Sequence, residues 1–241
     1  MKVTAIIPAR YASTRLPGKV LCDICGKTMI QRVYERVSKA QNLDQVIVAT
    51  DDQRVYQEVE SFGGRVEMTA KEHSTGTDRL AEVAQSLDSE VVVNVQGDEP
   101  LINPALVDKA VRPLLADDTI KMGTLKHEIS EETELKDPNS VKVITDQDDF
   151  AIYFSRSLIP YPRTDEDLTY YKHIGLYVYR REFLLEYTDL EATPLEKKES
   201  LEQLRALENG YKIKVVETEQ QVIGVDTRED LERVRRQLKS N

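Results

Sequence analysis

EVVVNVQGDEP, residues 90–100, is the stretch on which the reading of the fold turns. Its first half is almost continuously apolar, the pattern of a strand covered on both faces, and such strands belong to parallel sheets flanked by helices. It then breaks into Gly97, Asp98, Glu99 and Pro100, a sharp turn rich in carboxylate. Toward the N-terminus, KVTAII (2–7), QVIVAT (45–50) and RVEMT (65–69) read as further strands. Between the strands, TMIQRVYERVSKA (28–40), QRVYQEVESF (53–62) and DRLAEVAQSL (78–87) carry apolar residues at helical spacing, as at Met29, Ile30, Val33 and Val37. Alternation of strand and helix implies βαβ units and a mainly parallel sheet.

Toward the C-terminus the pattern is less regular. Strands are expected at 120–127, 140–145, 150–155, 173–179 and 211–216, and helices at 181–187, 195–208 and 227–239. The first three of these strands follow one another without helices, so some of their pairing should be antiparallel. The last helix opens at VDTRED, with Asp226 or Thr227 as N-cap and Glu229 or Asp230 three residues on. No repeat or linker separates the halves. The expectation is a single α/β domain over 1–241 with a mixed sheet, less regular around 120–190.

Composition narrows the function. The 241 residues are 40% hydrophobic and 32% charged, ordinary values for a soluble globular protein. With 43 acidic and 33 basic side chains the formal net charge is −10, which argues against a nucleic-acid or membrane-surface binder. A small anionic ligand is still compatible, because it meets only a local cluster. The apolar run before Pro8 is too short for a signal-peptide core, and no run is long enough to span a bilayer, so a cytoplasmic location is expected. Cys22 and Cys25 form a C-x-x-C, but it follows a Pro-Gly turn, and His73, His127 and His173 lie far from it in sequence. The pair reads as ordinary thiols rather than a redox or zinc site.

Three familiar α/β sites fail on inspection. After the first strand stands PARYAST, not G-x-G-x-x-G. Gly26, Lys27 and Thr28 match the tail of a P-loop, but Leu21 stands where its first Gly belongs. G-x-S-x-G does not occur.

Other constellations remain. PARYASTRLPGKVL (8–21) lies at the carboxyl end of the first strand, the edge where open α/β sheets bind ligands. Arg10, Arg15 and Lys19 supply cations, Ser13 and Thr14 hydroxyls, and Gly18 permits close backbone approach. This is the composition of a triphosphate cradle, or else of a solvated basic loop. Asp98, after the 90–95 strand, is expected at the same edge, where a carboxylate suits Mg²⁺ together with phosphate oxygens; a plain turn is the alternative. Asp226 in IGVDT (223–227) is either a helix cap, a second metal ligand, or both. In HSTGTDRL (73–80) the residues before the helix offer N–H groups to an anion or a base edge, or simply cap the helix. Arg156, Arg163, Lys172 and His173 are suited to a carboxylate, and Glu202 and Gln203 to sugar hydroxyls. A core histidine and an exposed helix charge are the plainer readings of His173 and Glu202.

PARYASTRLPGK, TDD (50–52), STGTDRL, NVQGDEP, YFSR-x-x-IP-x-PR, KHIGLYVYR, LEQLR-x-L and GVDT stand in an order that closely resembles the 3-deoxy-manno-octulosonate cytidylyltransferase family, from Val3 to about Leu238. The resemblance implies a nucleotide-diphospho-sugar transferase-like fold, with a Rossmann-like mixed, mainly parallel sheet flanked by helices. It implies a cytoplasmic homodimer that uses Mg²⁺ to convert CTP and the acidic eight-carbon sugar 3-deoxy-D-manno-octulosonate (Kdo) to CMP-Kdo and pyrophosphate, for lipopolysaccharide or capsule assembly. Carried over by motif, Arg10, Ser13 and Lys19 would hold the triphosphate. Ser74, Gly76, Thr77 and Arg79 would lie near cytosine. Asp98 and Asp226 would bind Mg²⁺ and, with Lys19 and Arg10, form the catalytic group. Arg15, Gln96, Arg156, His173, Tyr177, Glu202 and Gln203 would contact Kdo. Val20 replaces the family's usual Pro, and Tyr161 stands where many members carry Trp or another aromatic. The same chemistry on 8-amino-Kdo or a sialic acid is one alternative, and a non-catalytic nucleotide-binding protein on this scaffold another. Sugar-1-phosphate nucleotidylyltransferases are disfavoured by the missing G-x-G-T-R-L opening.

Overall fold

A computed structural model describes residues 1–12, 16–164 and 168–239. The chain divides into two compact units, residues 1–109 with 222–241, and residues 110–221.

The first unit begins with β1 (Val3–Pro8), α1 (Met29–Val37), β2 (Gln45–Thr50), α2 (Gln53–Ser61), β3 (Val66–Met68), α3 (Gly76–Gln85), β4 (Val91–Asn94) and the start of α4 (Pro104–Ala116). Its strands run parallel in the order β3-β2-β1-β4, with Ile6 opposite Ile47 on one side and Asn94 on the other. All four residues of β4 are buried, as an apolar run with both faces covered requires. Helix α1 buries Met29, Ile30, Val33 and Val37, and the Thr28 hydroxyl accepts the Gln31 N–H at its start. Helix α4 went unanticipated; Pro113 stands inside it, although Leu106, Val107, Ala110, Val111 and Leu114 keep helical spacing and are buried.

The parallel register brings the carboxyl ends of β1 and β4 side by side, and with them segments 8–12 and 95–98. The two backbones meet closely at Gly97, where a Cβ would stand 2.9 Å from the Pro8 carbonyl oxygen. Gly18 holds φ +67° at the start of a single 3-10 turn (Lys19–Leu21), a left-handed conformation that side chains resist.

The second unit holds β5 (Met122–Glu128), α5 (Glu132–Lys136), β6 (Lys142–Thr145), β7 (Ala151–Ser155), β8 (Tyr171–Arg180), α6 (Arg181–Thr188), α7 (Pro194–Glu199), α8 (Leu204–Glu208) and β9 (Ile213–Thr218). β5 pairs antiparallel with β8 and parallel with β9, while β6 pairs antiparallel with β7 and β8. The mixed sheet expected from the sequence is therefore present. The helix expected over 195–208 is two helices, because Ser200 adopts φ 52° and breaks the run. Arg205 then pairs with Glu196 across the break at 2.6 Å, both side chains largely buried.

The chain closes in the first unit with α9 (Arg228–Lys239). The Thr227 hydroxyl accepts the Asp230 N–H at 3.2 Å, and the Asp230 carboxylate accepts the Thr227 N–H at 3.0 Å. The cap is thus Thr227, the residue after Asp226.

Candidate active site

Lys19, Asp98 and Asp226 converge within the first unit. The Lys19 ammonium donates to Asp98 Oδ2 at 2.5 Å, to Asp226 Oδ1 at 3.0 Å and to the Val225 carbonyl at 3.2 Å. Burial alone would lower the Lys19 pKa, but Asp98 and Asp226 outweigh it and hold the ammonium above its ordinary value. Each member is placed by a different local device. The 3-10 turn after Gly18 presents Lys19, the end of β4 presents Asp98, and the Val225 N–H bonds the Asp98 carbonyl at 2.9 Å, which fixes Asp226 beside it. Beneath them Ile24, Met29, Val225, Leu231 and Val234 form an apolar cluster that anchors the segment before α9.

A groove of about 400 Å³ opens here, lined by Arg10, Lys19, Gln96, Gly97, Asp98 and Asp226 among others. Arg10 donates through Nη2 to the His73 carbonyl at 2.8 Å and has no carboxylate partner among the described residues, so its charge faces the groove unneutralised. Gly76 also lines the groove. Thr77 is buried and Ser74 exposed. Arg79 is wholly buried, bonding Asp51 at 3.0 Å and Thr69 Oγ1, while its Nε has no hydrogen-bond partner among the described residues. Glu99 is buried next to Asp98, and burial, with the Asp98 charge, raises its carboxyl to about 8. Ser13 and Arg15 lie outside the described residues.

The donor set suits a hard divalent cation. Two carboxylates already share one cationic atom, Lys19 Nζ, and Mg²⁺ characteristically takes one or two carboxylates and completes its shell with phosphate oxygens and water.

The remaining expected residues belong to the second unit. His173 Nε2 lies 2.9 Å from Thr124 Oγ1, whose single proton is directed to the carbonyls of Ile174 and Leu176. The imidazole is therefore the donor of that pair, which leaves Nδ1 as an acceptor. Its ring meets Phe154 edge-on and Tyr177 at 5.2 Å, and burial lowers its pKa to about 3. Burial, reinforced by Glu202, raises the Tyr177 hydroxyl well above its ordinary value. Gln203 is buried, and its Nε2 has no hydrogen-bond partner among the described residues. Arg156 is engaged by carbonyls, donating to Glu199, Pro138 and Ser200. Motif reading passes over Glu82, which holds the segment before α3; its position four residues after Asp78, on the same helix face, is the signal that could have found it.

Residues 4–213 match the profile of the cytidylyltransferase family. The chain is 57% identical to the 3-deoxy-manno-octulosonate cytidylyltransferase of Geotalea uraniireducens, over 99% of this chain and 100% of that protein. It is 58% identical to that of Geobacter metallireducens, over 97% and 96%. Among solved structures, CMP:2-keto-3-deoxy-manno-octonic acid synthetase complexed with CTP superposes with a TM-score of 0.96 at 45% identity, over 100% of this chain and 99% of that one. The 4-diphosphocytidyl-2C-methyl-D-erythritol synthase of Anaerococcus prevotii, 18% identical with a TM-score of 0.64, shares the fold.

Proposed function

Since this chain belongs to the 3-deoxy-manno-octulosonate cytidylyltransferases, we propose that its site converts CTP and Kdo to CMP-Kdo and pyrophosphate. The fold is that of the nucleotide-diphospho-sugar transferases, and the product is the activated sugar for lipopolysaccharide assembly. The convergence of Asp98 and Asp226 on Lys19, beside an Arg10 with no carboxylate partner, is the observation that carries the reading of the site.

The anomeric hydroxyl of Kdo attacks the α-phosphorus of CTP, the new O–P bond forms as the bond to pyrophosphate breaks, and the hydroxyl proton passes to solvent water. Both reactants are anions, so charge repulsion and alignment dominate the barrier. Arg10 offsets charge on the triphosphate. Lys19, held protonated by its two carboxylates, keeps a second positive charge at the same edge. Asp98 and Asp226 would hold Mg²⁺, which when bound neutralises phosphate charge and makes the attacking hydroxyl more acidic. No side chain is needed as a nucleophile, so no nucleotidyl-enzyme should form. In the second unit His173, Tyr177, Glu202 and Gln203 supply buried polar atoms suited to a polyhydroxylated acid, with His173 Nδ1 accepting and Gln203 Nε2 donating. Arg156, committed to carbonyls, would act by holding segment 138–156 rather than by free movement toward a ligand.

We also propose a homodimer in the cytoplasm. Membership of the family supports both, and no helix among the described residues is long and apolar enough to cross a membrane.

The test is pyrophosphate release across CTP, UTP and dTTP against Kdo, 8-amino-Kdo and sialic acid, with and without EDTA. A signal confined to CTP and Kdo and abolished by EDTA is expected. A signal with another acid sugar would keep the chemistry and change the substrate, and silence with CTP still bound would favour a non-catalytic nucleotide-binding protein.

A further inference from the structure

Arg10 is held differently from Lys19. Lys19 is fixed by two carboxylates, whereas the Arg10 guanidinium is directed by one backbone carbonyl, that of His73. A carbonyl orients a guanidinium without cancelling its charge, so the place of the His73 peptide decides where that charge points. His73 lies in segment 69–75, between β3 and α3, and side chains of α3 hold that segment. Asp78 accepts the Thr75 N–H at 2.9 Å, and Arg79 reaches Thr69 Oγ1 and the Ala70 carbonyl. Glu82, one turn beyond Asp78, uses a single oxygen, Oε2, to accept both the Ala70 N–H at 2.9 Å and the His73 ring Nε2–H. Burial would raise the Glu82 pKa, but the bonds from His73 and Ala70 outweigh it and keep the carboxylate ionised. Glu82 is not among the described residues lining the groove, and among the described residues it forms no hydrogen bond or ion pair with Arg10.

We propose that Glu82 is a positioning residue for nucleotide binding. By clamping His73 and Ala70 it sets the carbonyl that aims Arg10 at the triphosphate. This rests on Arg10 being a triphosphate ligand, as the proposed function has it. Loss of Glu82 would leave the Ala70 N–H without its acceptor and the His73 ring free to turn, while the Lys19, Asp98 and Asp226 arrangement would stay intact.

The test is a double-mutant cycle on CTP binding, with Kd for CTP measured calorimetrically in the presence of Mg²⁺ for wild type, Glu82→Ala, Arg10→Ala and the double variant, alongside steady-state kinetics. Glu82→Ala should weaken CTP binding about tenfold, the effect of one hydrogen bond to a charged group. It should raise KM for CTP and also lower kcat, because Arg10 offsets the charge that dominates the barrier, while leaving KM for Kdo within about twofold. Glu82→Gln keeps an oxygen acceptor and should recover most of the affinity. In the Arg10→Ala background, Glu82→Ala should add almost nothing, because the two act as one unit. An unchanged Kd in Glu82→Ala overturns the proposal, as does a full loss repeated in the Arg10→Ala background, or an equal loss for Kdo accompanied by a lower Tm. Wild-type protein that binds CTP but releases no pyrophosphate with Kdo counts against the reaction alone, and the cycle then still decides on Glu82. Arg10→Ala that binds CTP as well as wild type overturns both the Arg10 assignment and the proposal.

Discussion

Asp226 separates chemistry from folding at the level of one residue. Thr227 caps α9, and the Asp226 carboxylate bonds Lys19 at 3.0 Å. Asp226→Asn and Asp98→Asn should each lower kcat by at least about 10²-fold, as removal of one electrostatic stabiliser does. For Asp226→Asn, Tm should be unchanged; a normal kcat with a lower Tm would return the residue to a capping role. Lys19→Ala should weaken the use of CTP, and unchanged CTP kinetics would remove it from the cradle. His173 gives a pH signature. Its ordinary pKa of 6.5 falls to about 3 in the folded protein through burial, so the unfolded chain binds more protons between those values. Stability on this account is complete above about 6.5 and is lost as the pH falls toward about 3. The ring keeps some solvent contact, so the slope should be a fraction of the ~1.4 kcal/mol per pH unit that a full one-proton difference gives. Denaturant titrations of His173→Gln should show a shallower acid-side decline than wild type, and parallel curves would show that the histidine does not titrate in this range.

At the scale of elements, the ends of strands and helices carry the site. Gly97 belongs where β4 gives way to Asp98, and a Cβ there would meet the Pro8 carbonyl, a backbone atom that cannot swing aside. Gly97→Ala should force segments 8–12 and 95–98 apart, lowering Tm and weakening CTP binding together; crystals of the variant with both segments unmoved would refute this. Thr227→Ala removes only a cap, so it should cost about 1 kcal/mol of stability in urea while leaving kcat normal. Helices α7 and α8 depend on a different device. Ser200 breaks the run and the Glu196–Arg205 pair, little exposed on either side, pins the two pieces. Arg205→Ala strands the Glu196 carboxylate in a buried position and should cost about 3 kcal/mol or more. A loss under about 1 kcal/mol would mean that the pair is effectively solvated.

For the molecule as a whole, ligand linkage offers a direct measurement. CTP with Mg²⁺ at 100 times its Kd should stabilise the fold by about 2.7 kcal/mol, visible as a raised Tm, and UTP should do so far less. The expected triphosphate and metal residues in the described structure all lie in residues 1–109 and 222–241, so hydrogen exchange with CTP alone should slow first in those segments. Equal protection by UTP would sink the assignment of cytosine selection to segment 73–79. Much of this was legible in the chain itself. The alternating patterns of 2–95, the carboxylates at the ends of apolar strands, the cations after β1 and the ordered motifs are local features, because secondary structure and chemical type are written at short range. What depends on long-range contact was not. Asp98 and Asp226 follow Lys19 by 79 and 207 positions and meet it through the β1–β4 register, the turn after Gly18 and the Val225–Asp98 backbone bond. The choice of Thr227 over Asp226 as cap, the break at Ser200, the burial of Arg79 against Asp51 and the Glu82–His73–Arg10 relay rest on side-chain directions and backbone angles that packing selects. Residue type and spacing thus determined the class of chemistry, and tertiary structure decided which of those residues meet, because contacts between positions far apart in the chain are made only by the packed fold.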